Sequence, residues 1–298
     1  MYRDRAVRSA VTAVTLLVLG AGTLHAQRYD TTLTPHGQPR LSINNLSGDI
    51  VIRSWSRPQI RVEAEYDRAQ VDVSESGGRV AIRTLNRRGD QEVDYTITVP
   101  HGTGVEINSI SSDVRMSDVC GDLNLTTTSG DIEVSCIEGD AQIQTVSGDI
   151  QVSNVKTRHL DVQSTSGDVQ VENVKGGVGA NSVSGDVNLS GIDGDEVTAE
   201  TVSGDINYDG RIADNGRYRF SAHSGDVTLR VPSTLNATLS VETFNGEFES
   251  DFQVRLNGGR GVGKNWEGQV GSGSARIQLS SFSGTIALRR GAGNSREE

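Results

Sequence analysis

The chain has 298 residues, of which 39 are acidic and 28 basic, giving a net charge of −11. That balance disfavours nucleic acid and anionic lipid as partners, because both are held through clustered Lys and Arg. Aromatic residues make up only 4% of the chain while glycine numbers 35, a composition that suits thin stacked strands and tight turns better than a bulky globular core.

Residues 1–26 read as a secretory signal peptide. Arg3, Arg5 and Arg8 make a basic start, an apolar run extends from Ala10 to Leu24, and the small residue Ala26 precedes Gln27. The run is short of the ~20 apolar residues that a membrane span needs. The alternative reading is a retained N-terminal anchor. No second long apolar stretch follows, so no transmembrane span is expected after cleavage. Removing three Arg and one Asp leaves 25 basic and 38 acidic residues, a net charge of −13. The expected address is the periplasm, the cell surface or the medium.

Residues 27–100 are expected to form an N-terminal β region that caps the strands after it. Its longer alternating strands include Ile60/Val62/Ala64/Tyr66 and Val93/Tyr95/Ile97/Val99, punctuated by Trp55 and Pro100. One early unit, LSGDIVI from Leu46, announces the pattern that dominates residues 101–250. There the chain reads ISSDVRM from Ile110, TSGDIEV from Thr128, VSGDIQV from Val146, TSGDVQV from Thr165, VSGDVNL from Val183, VSGDINY from Val202 and HSGDVTL from His223. Asp113, Asp131, Asp149, Asp168, Asp186, Asp205 and Asp226 are spaced 18, 18, 19, 18, 19 and 21 residues apart. A weaker half-copy lies between them, so each period holds two strands. A fixed period near 20 marks a solenoid or array.

Each part of the unit has a physical role. Ser-Gly signals a turn, with glycine free to take a positive φ. Asp then opens a strand in which apolar residues alternate with polar ones, as in Ile132/Val134 and Ile150/Val152. A third apolar residue, such as Ile137, Val155, Val174 or Ile192, closes the unit. One rung buries about five aliphatic side chains at roughly 1.5–3 kcal/mol each, against a backbone ordering cost of roughly 1–2 kcal/mol per residue. A lone rung therefore does not fold, and stacking must supply the balance. The predicted fold is all-β: a single-stranded parallel β-solenoid, a β-helix or β-roll, with ~18–21-residue rungs. Residues 251–290 should close its C-terminal end through a Gly-rich loop at Gly258–Gly263, Trp266 and two last strands at Ala275–Leu279 and Thr285–Leu288. Residues 291–298 look like a frayed tail.

Several residues are candidates for chemistry. Asp131, Asp149, Asp168, Asp186 and Asp205 should stack near 5 Å apart and repel by roughly 1 kcal/mol per pair in water. Hydrogen bonds from Ser hydroxyls and turn amides are the expected offset. Calcium held between rungs is the alternative, because Asp, Ser and carbonyl oxygens could supply its ligands. No other cofactor is expected. Cys120 and Cys136, about one turn apart in an exported chain, form either a disulfide or a pair of free thiols. Arg115, Lys156, Arg158 and Lys175 are the basic residues that an acidic-polysaccharide enzyme would need, but they share no rung position and read as surface charge. His36, His101, His159 and His223 sit beside no evident nucleophile in the sequence, so no catalytic residue is assigned. Trp55 and Trp266 suit caps or turns more than sugar stacking. Runs such as Thr126-Thr127-Thr128 read as hydrated outward ladders suited to weak multivalent contact.

The serial SGD[IV]xV units, the Ser54-Trp55 pair, the segment Tyr95–Gly102 and the late Phe282-Ser283-Gly284-Thr285-Ile286 together carry a resemblance over residues 40–290. They resemble a bacterial family of exported β-strand-repeat proteins described as candidate adhesins and otherwise of unknown function. The chain departs from its pattern at Thr285, where Asp is missing, and at GGVGANS (Gly176–Ser182), where bulky apolar residues are lost. The resemblance implies a non-enzymatic envelope or surface protein. Its partners would be envelope components, glycans or surface proteins. A calcium-binding roll and a polysaccharide-active enzyme are the alternatives.

Overall fold

A computed structural model describes residues 27–85, 92–254, 257–258 and 263–291. The expected signal peptide, residues 292–298 of the expected tail and the middle of the Gly-rich loop lie outside the described residues.

Every regular element among the described residues is a β-strand. The SGD units form two long parallel ladders in which like residues stack on like. In one ladder Ile132 lies between Val114 and Ile150, and Val134 between Met116 and Val152. In the other, Leu123–Thr126 lies between Gly104–Ser111 and Ala141–Ser147, again one period apart. Alternation sends one residue in two inward, and Ile150, Val152, Val169, Val171, Val187, Leu189 and Ile206 are all buried. In Ile150–Ser166 and Val169–Ser184 strand pairing runs on through both ladders. A short third side completes the rung. Its residues Ile137, Val155, Val174 and Ile192 are buried, and bridges join Glu138 to Lys156 and Lys175 to Asp193. The chain enters that side through a left-handed residue: Asp118, Cys136, Asn154 and Asn173 have φ of 60, 57, 56 and 54°. Asn and Asp visit this region most readily among non-glycine residues.

The corner between the two ladders is closed to a side chain wherever glycine holds it, and Ser112 takes its place on one rung. At Gly148, with φ of 132°, a Cβ would lie 2.2 Å from the carbonyl oxygen of Gly130 on the adjoining rung. GGVGANS keeps the pattern despite its small residues, because Val178 and Ala180 still point inward and are buried.

The spatial order of rungs departs from chain order at both ends. Ile50–Trp55 lies between Val93–Pro100 and Val114–Ser117, and Arg40–Ser47 lies between Arg79–Leu85 and Gly104–Ser111. At the other end Ala275–Ser283 is inserted between Arg217–Ser224 and Ala237–Thr243. Ile286–Arg290 is likewise inserted between Val227–Val231 and Phe248–Ser250. The last two strands therefore do not close the stack, contrary to the sequence expectation. Antiparallel strands flank the parallel array instead: Lys264–Val270 on Ala237–Thr243 at one end, Gln70–Ser76 on Arg79–Leu85 and Ile60–Tyr66 on Val93–Pro100 at the other. Reversing direction ends the parallel template and blunts an edge that could recruit another chain.

A buried polar knot fastens the first rungs. Asn45 Nδ2 donates to the carbonyls of Ser47 (2.9 Å) and Val93 (3.2 Å). Thr84 Oγ1 donates to Asn45 Oδ1 at 2.7 Å and lies 2.8 Å from the Tyr95 hydroxyl. Burial pushes the Tyr95 hydroxyl up to about 12, partly opposed by the Thr84 contact. Burial also pushes Tyr208 well above its ordinary value of 10.0.

Two outcomes are expected. Gly148→Ala should cost about 3 kcal/mol or more in urea unfolding, because an adjoining backbone carbonyl must move, while Asn154→Gly should change stability by less than about 1 kcal/mol. Because Tyr95 holds its proton more tightly folded than unfolded, its stabilisation is complete below pH ~10 and is lost as pH rises through about 12, and Tyr208, shifted in the same direction, adds to the loss in alkali. The urea midpoint should thus be steady to pH ~9.5 and fall above it, less steeply in Tyr95→Phe.

Candidate functional site

The five Asp candidates stand in one exposed file at the Ser-Gly corner, and the file is knitted by its own backbone. The Asp149 amide donates to Asp131 Oδ1 at 3.0 Å, Asp168 to Asp149 at 2.9 Å, and Asp186 to Asp168 at 2.8 Å. Asp205 donates to Asp186, and Asp226 to Asp205, each at 2.8 Å. Each carboxylate thus accepts from the amide of the next Asp. The Ser hydroxyls expected as donors do something else. Inward Ser182 and Thr201 donate to the carbonyls of Gly167 and Gly185, both at 3.1 Å. Thr285 explains itself here: its amide donates to Asp226 Oδ1 at 2.7 Å, a bond that requires no carboxylate at position 285. Calcium requires six to eight oxygens. Among the described residues no three His, Cys, Asp or Glu converge in a metal-binding group.

The other candidates are dispersed. Cys120 and Cys136 are free thiols. Cys136 occupies the left-handed corner one period after Asp118, whereas Cys120 lies two residues past that corner. Burial raises both thiols above the usual range, reinforced by Glu138 and Asp118 beside Cys120 and by Asp118 beside Cys136. Arg115 pairs with Asp49 at 3.5 Å, Arg158 with Asp140, and Lys156 stacks beside Lys175. Trp55 Nε1 donates to the Gln59 carbonyl at 2.6 Å under Arg57, and Trp266 lies on an outer strand near Phe248. His101 does meet a hydroxyl, which sequence spacing could not reveal: its Nδ1 lies 2.9 Å from Ser54 Oγ. Ser54 Oγ donates its proton to the Asp118 carbonyl. The pair therefore stitches rungs together.

The site that sequence reading missed is the residue before each Ser-Gly. The in-register serines place these residues in one outward file. Ile110, Val146, Val183 and Val202 are about half exposed, as are Phe282 and Phe244. His223, Phe282 and Phe244 stack with centroids 4.9 and 4.8 Å apart. A second outward file, two residues earlier, holds Gln144, Gln163, Asn181, Glu200 and Glu242. Between the files the chain turns inward at Thr145, Ser164, Ser182, Thr201 and Thr243, all buried. The two files flank a groove of about 840 Å³ that runs along eight consecutive rungs, from Thr126 to Phe244. Thr126-Thr127-Thr128 is accordingly not one hydrated face, since Thr127 is buried and bonds the Ser129 carbonyl at 3.0 Å. A signal was present in the sequence: the residue before Ser-Gly is apolar in most copies although it points outward at the end of its strand.

The Toastrack DUF4097 family profile matches residues 39–289. The chain belongs to that family. No curated protein matches it. Solved structures similar to this family member include a candidate adhesin from Bacteroides fragilis, 13% identical over 88% of this chain and 97% of that one, with a TM-score of 0.45. A candidate adhesin from Parabacteroides distasonis is 10% identical over 88% and 97%, with a TM-score of 0.47. A protein from the same species described as a candidate lipid binding protein is 11% identical over 88% and 96%, with a TM-score of 0.43.

Truncating the Asp file should separate its two effects. Asp149→Ala should cost about 1–2 kcal/mol by leaving the Asp168 amide without its acceptor, and Asp149→Asn less, since the acceptor stays. Salt should stabilise the wild type by screening the acidic file, and this gain should shrink in Asp149→Asn when urea midpoints are compared at low and high ionic strength.

Proposed function

We propose that this DUF4097 protein is a non-catalytic, exported envelope or surface module. A rigid parallel β-solenoid would present the groove to an extended partner, in adhesion or scaffolding. The groove carries this reading: polar contacts on successive rungs and apolar contacts on most of them lie in a straight line, so a long partner gains many weak contacts at once. An apolar file left about half exposed on a strongly acidic surface supports the reading, because contiguous exposed apolar area marks interaction sites. Export is supported by the basic-then-apolar leader of residues 1–26.

Arrays of glycans and matrix proteins should show binding by the wild type that a Val183→Glu/Val202→Glu double variant loses while its unfolding midpoint stays put. Binding that ignores the double variant would sink the groove as the site. In this reading the Asp file is structural, so EDTA should leave the melting curve unchanged; a lower midpoint on chelation would instead favour a calcium-stabilised module.

A further inference from the structure

The groove lining holds Glu200 and Glu242 but neither Lys nor Arg. Arg217, Arg219 and Arg276 lie on the same ladder, outside the lining. An acidic polymer would meet repulsion and no compensating cation.

Spacing narrows the occupant further. The groove offers a polar group once per rung, about every 4.8 Å, and an apolar one on most rungs, with Thr165 and His223 interrupting the apolar file. An extended polypeptide advances about 3.3–3.6 Å per residue and falls out of phase within a few residues. An extended pyranose chain advances by nearly one rung per sugar, so the same contacts can repeat along it. A hydrocarbon chain would satisfy the apolar file but leave the amide file without partners. A sugar ring answers both, with hydroxyls at its edge and C–H groups on its face.

One atom asks for such a hydroxyl. Among the described residues, Asn181 Oδ1 is the one buried side-chain oxygen or nitrogen without a hydrogen-bond partner, and Asn181 lines the middle of the groove. The reason lies in its neighbours. Gln163 on one side turns its amide to Asp161 at 3.1 Å. Glu200 on the other side is an acceptor. Gly179, the preceding outward position on the same strand, has no side chain. No neighbour on the ladder supplies a donor, and the atom is closed to solvent as the side chain stands, so a ligand meets it only when the Asn181 amide turns into the groove.

We infer that the groove takes a neutral, extended glycan lying along the stack, about one sugar per rung, with the Asn181 amide turning outward to meet a sugar hydroxyl. The inference rests on the groove being the binding surface. Calorimetric titration of the exported chain with cellohexaose, maltohexaose, hexagalacturonate and hexalysine tests it. Cellohexaose, neutral and extended, should bind; coiled maltohexaose should bind about tenfold more weakly and hexagalacturonate not at all. Asn181→Leu should weaken cellohexaose binding about tenfold with an unchanged unfolding midpoint, and Val202→Glu provides the same test if Asn181→Leu folds poorly. Preference for hexagalacturonate or hexalysine, or binding of cellohexaose that neither variant weakens, overturns the inference. Silence with all four probes overturns it too. Array binding that the Val183→Glu/Val202→Glu variant abolishes would then still leave the groove reading standing.

Discussion

At the glycine corners of the array a backbone carbonyl of the adjoining rung occupies the place where the glycine's side chain would be. Gly148 against Gly130 and Gly167 against Gly148 show the same approach, at 2.2 and 2.1 Å from a would-be Cβ. Backbones this close bring each Asp amide within reach of the carboxylate one rung away, and the Asp file becomes a chain of charge-assisted hydrogen bonds. Like charges stacked about 5 Å apart oppose the arrangement by roughly 1 kcal/mol per pair in water. The hydrogen bond answers that repulsion at each step. The corner also decides which way its neighbours face. The residue before Ser-Gly is thrown outward and the one before that inward, which is how a turn motif builds a groove file and a row of buried hydroxyls at once.

Much of this was legible in the residues because a stacked fold writes its period into the chain. The Asp spacing located the rungs, and the alternation in segments such as Gly130–Val134 told inward from outward. The residues that were misread are those whose role depends on a neighbour one period away. Asp131 alone gives no hint that the Asp149 amide is its donor. Ser54 and His101 are 47 residues apart in sequence and meet only because Ile50–Trp55 and Val93–Pro100 are laid side by side. The left-handed corner at Asp118, Cys136, Asn154 and Asn173 was hidden because Cys136 breaks an otherwise Asx-like column. The groove escaped notice because its outward residues come from strands a whole period apart and form a continuous file only once those strands are stacked.

The ends of the stack follow a different logic from its middle. A solenoid built strictly in chain order could add rungs one after another from either end. Here the first SGD rung is enclosed by chain that comes after it, and the last is enclosed by chain that comes before it. Both terminal rungs are therefore internal in space, and Asn45 is buried against Thr84 and Tyr95 rather than left at an edge. Closing such contacts requires long loops to form before they are rewarded, which slows folding. The arrangement also leaves the outer positions to antiparallel strands, which do not extend the parallel template.

The corner can be read directly by native-state hydrogen exchange. The amides of Asp149, Asp168, Asp186 and Asp205 sit on an exposed turn, where amides ordinarily exchange quickly. If the amide-to-carboxylate chain holds the rungs together, they should exchange only with global unfolding, as slowly as the buried-ladder amides of Ile150, Val169 and Val187. Fast exchange at the Asp amides beside slow exchange at those neighbours would contradict the corner as the feature on which the stack depends.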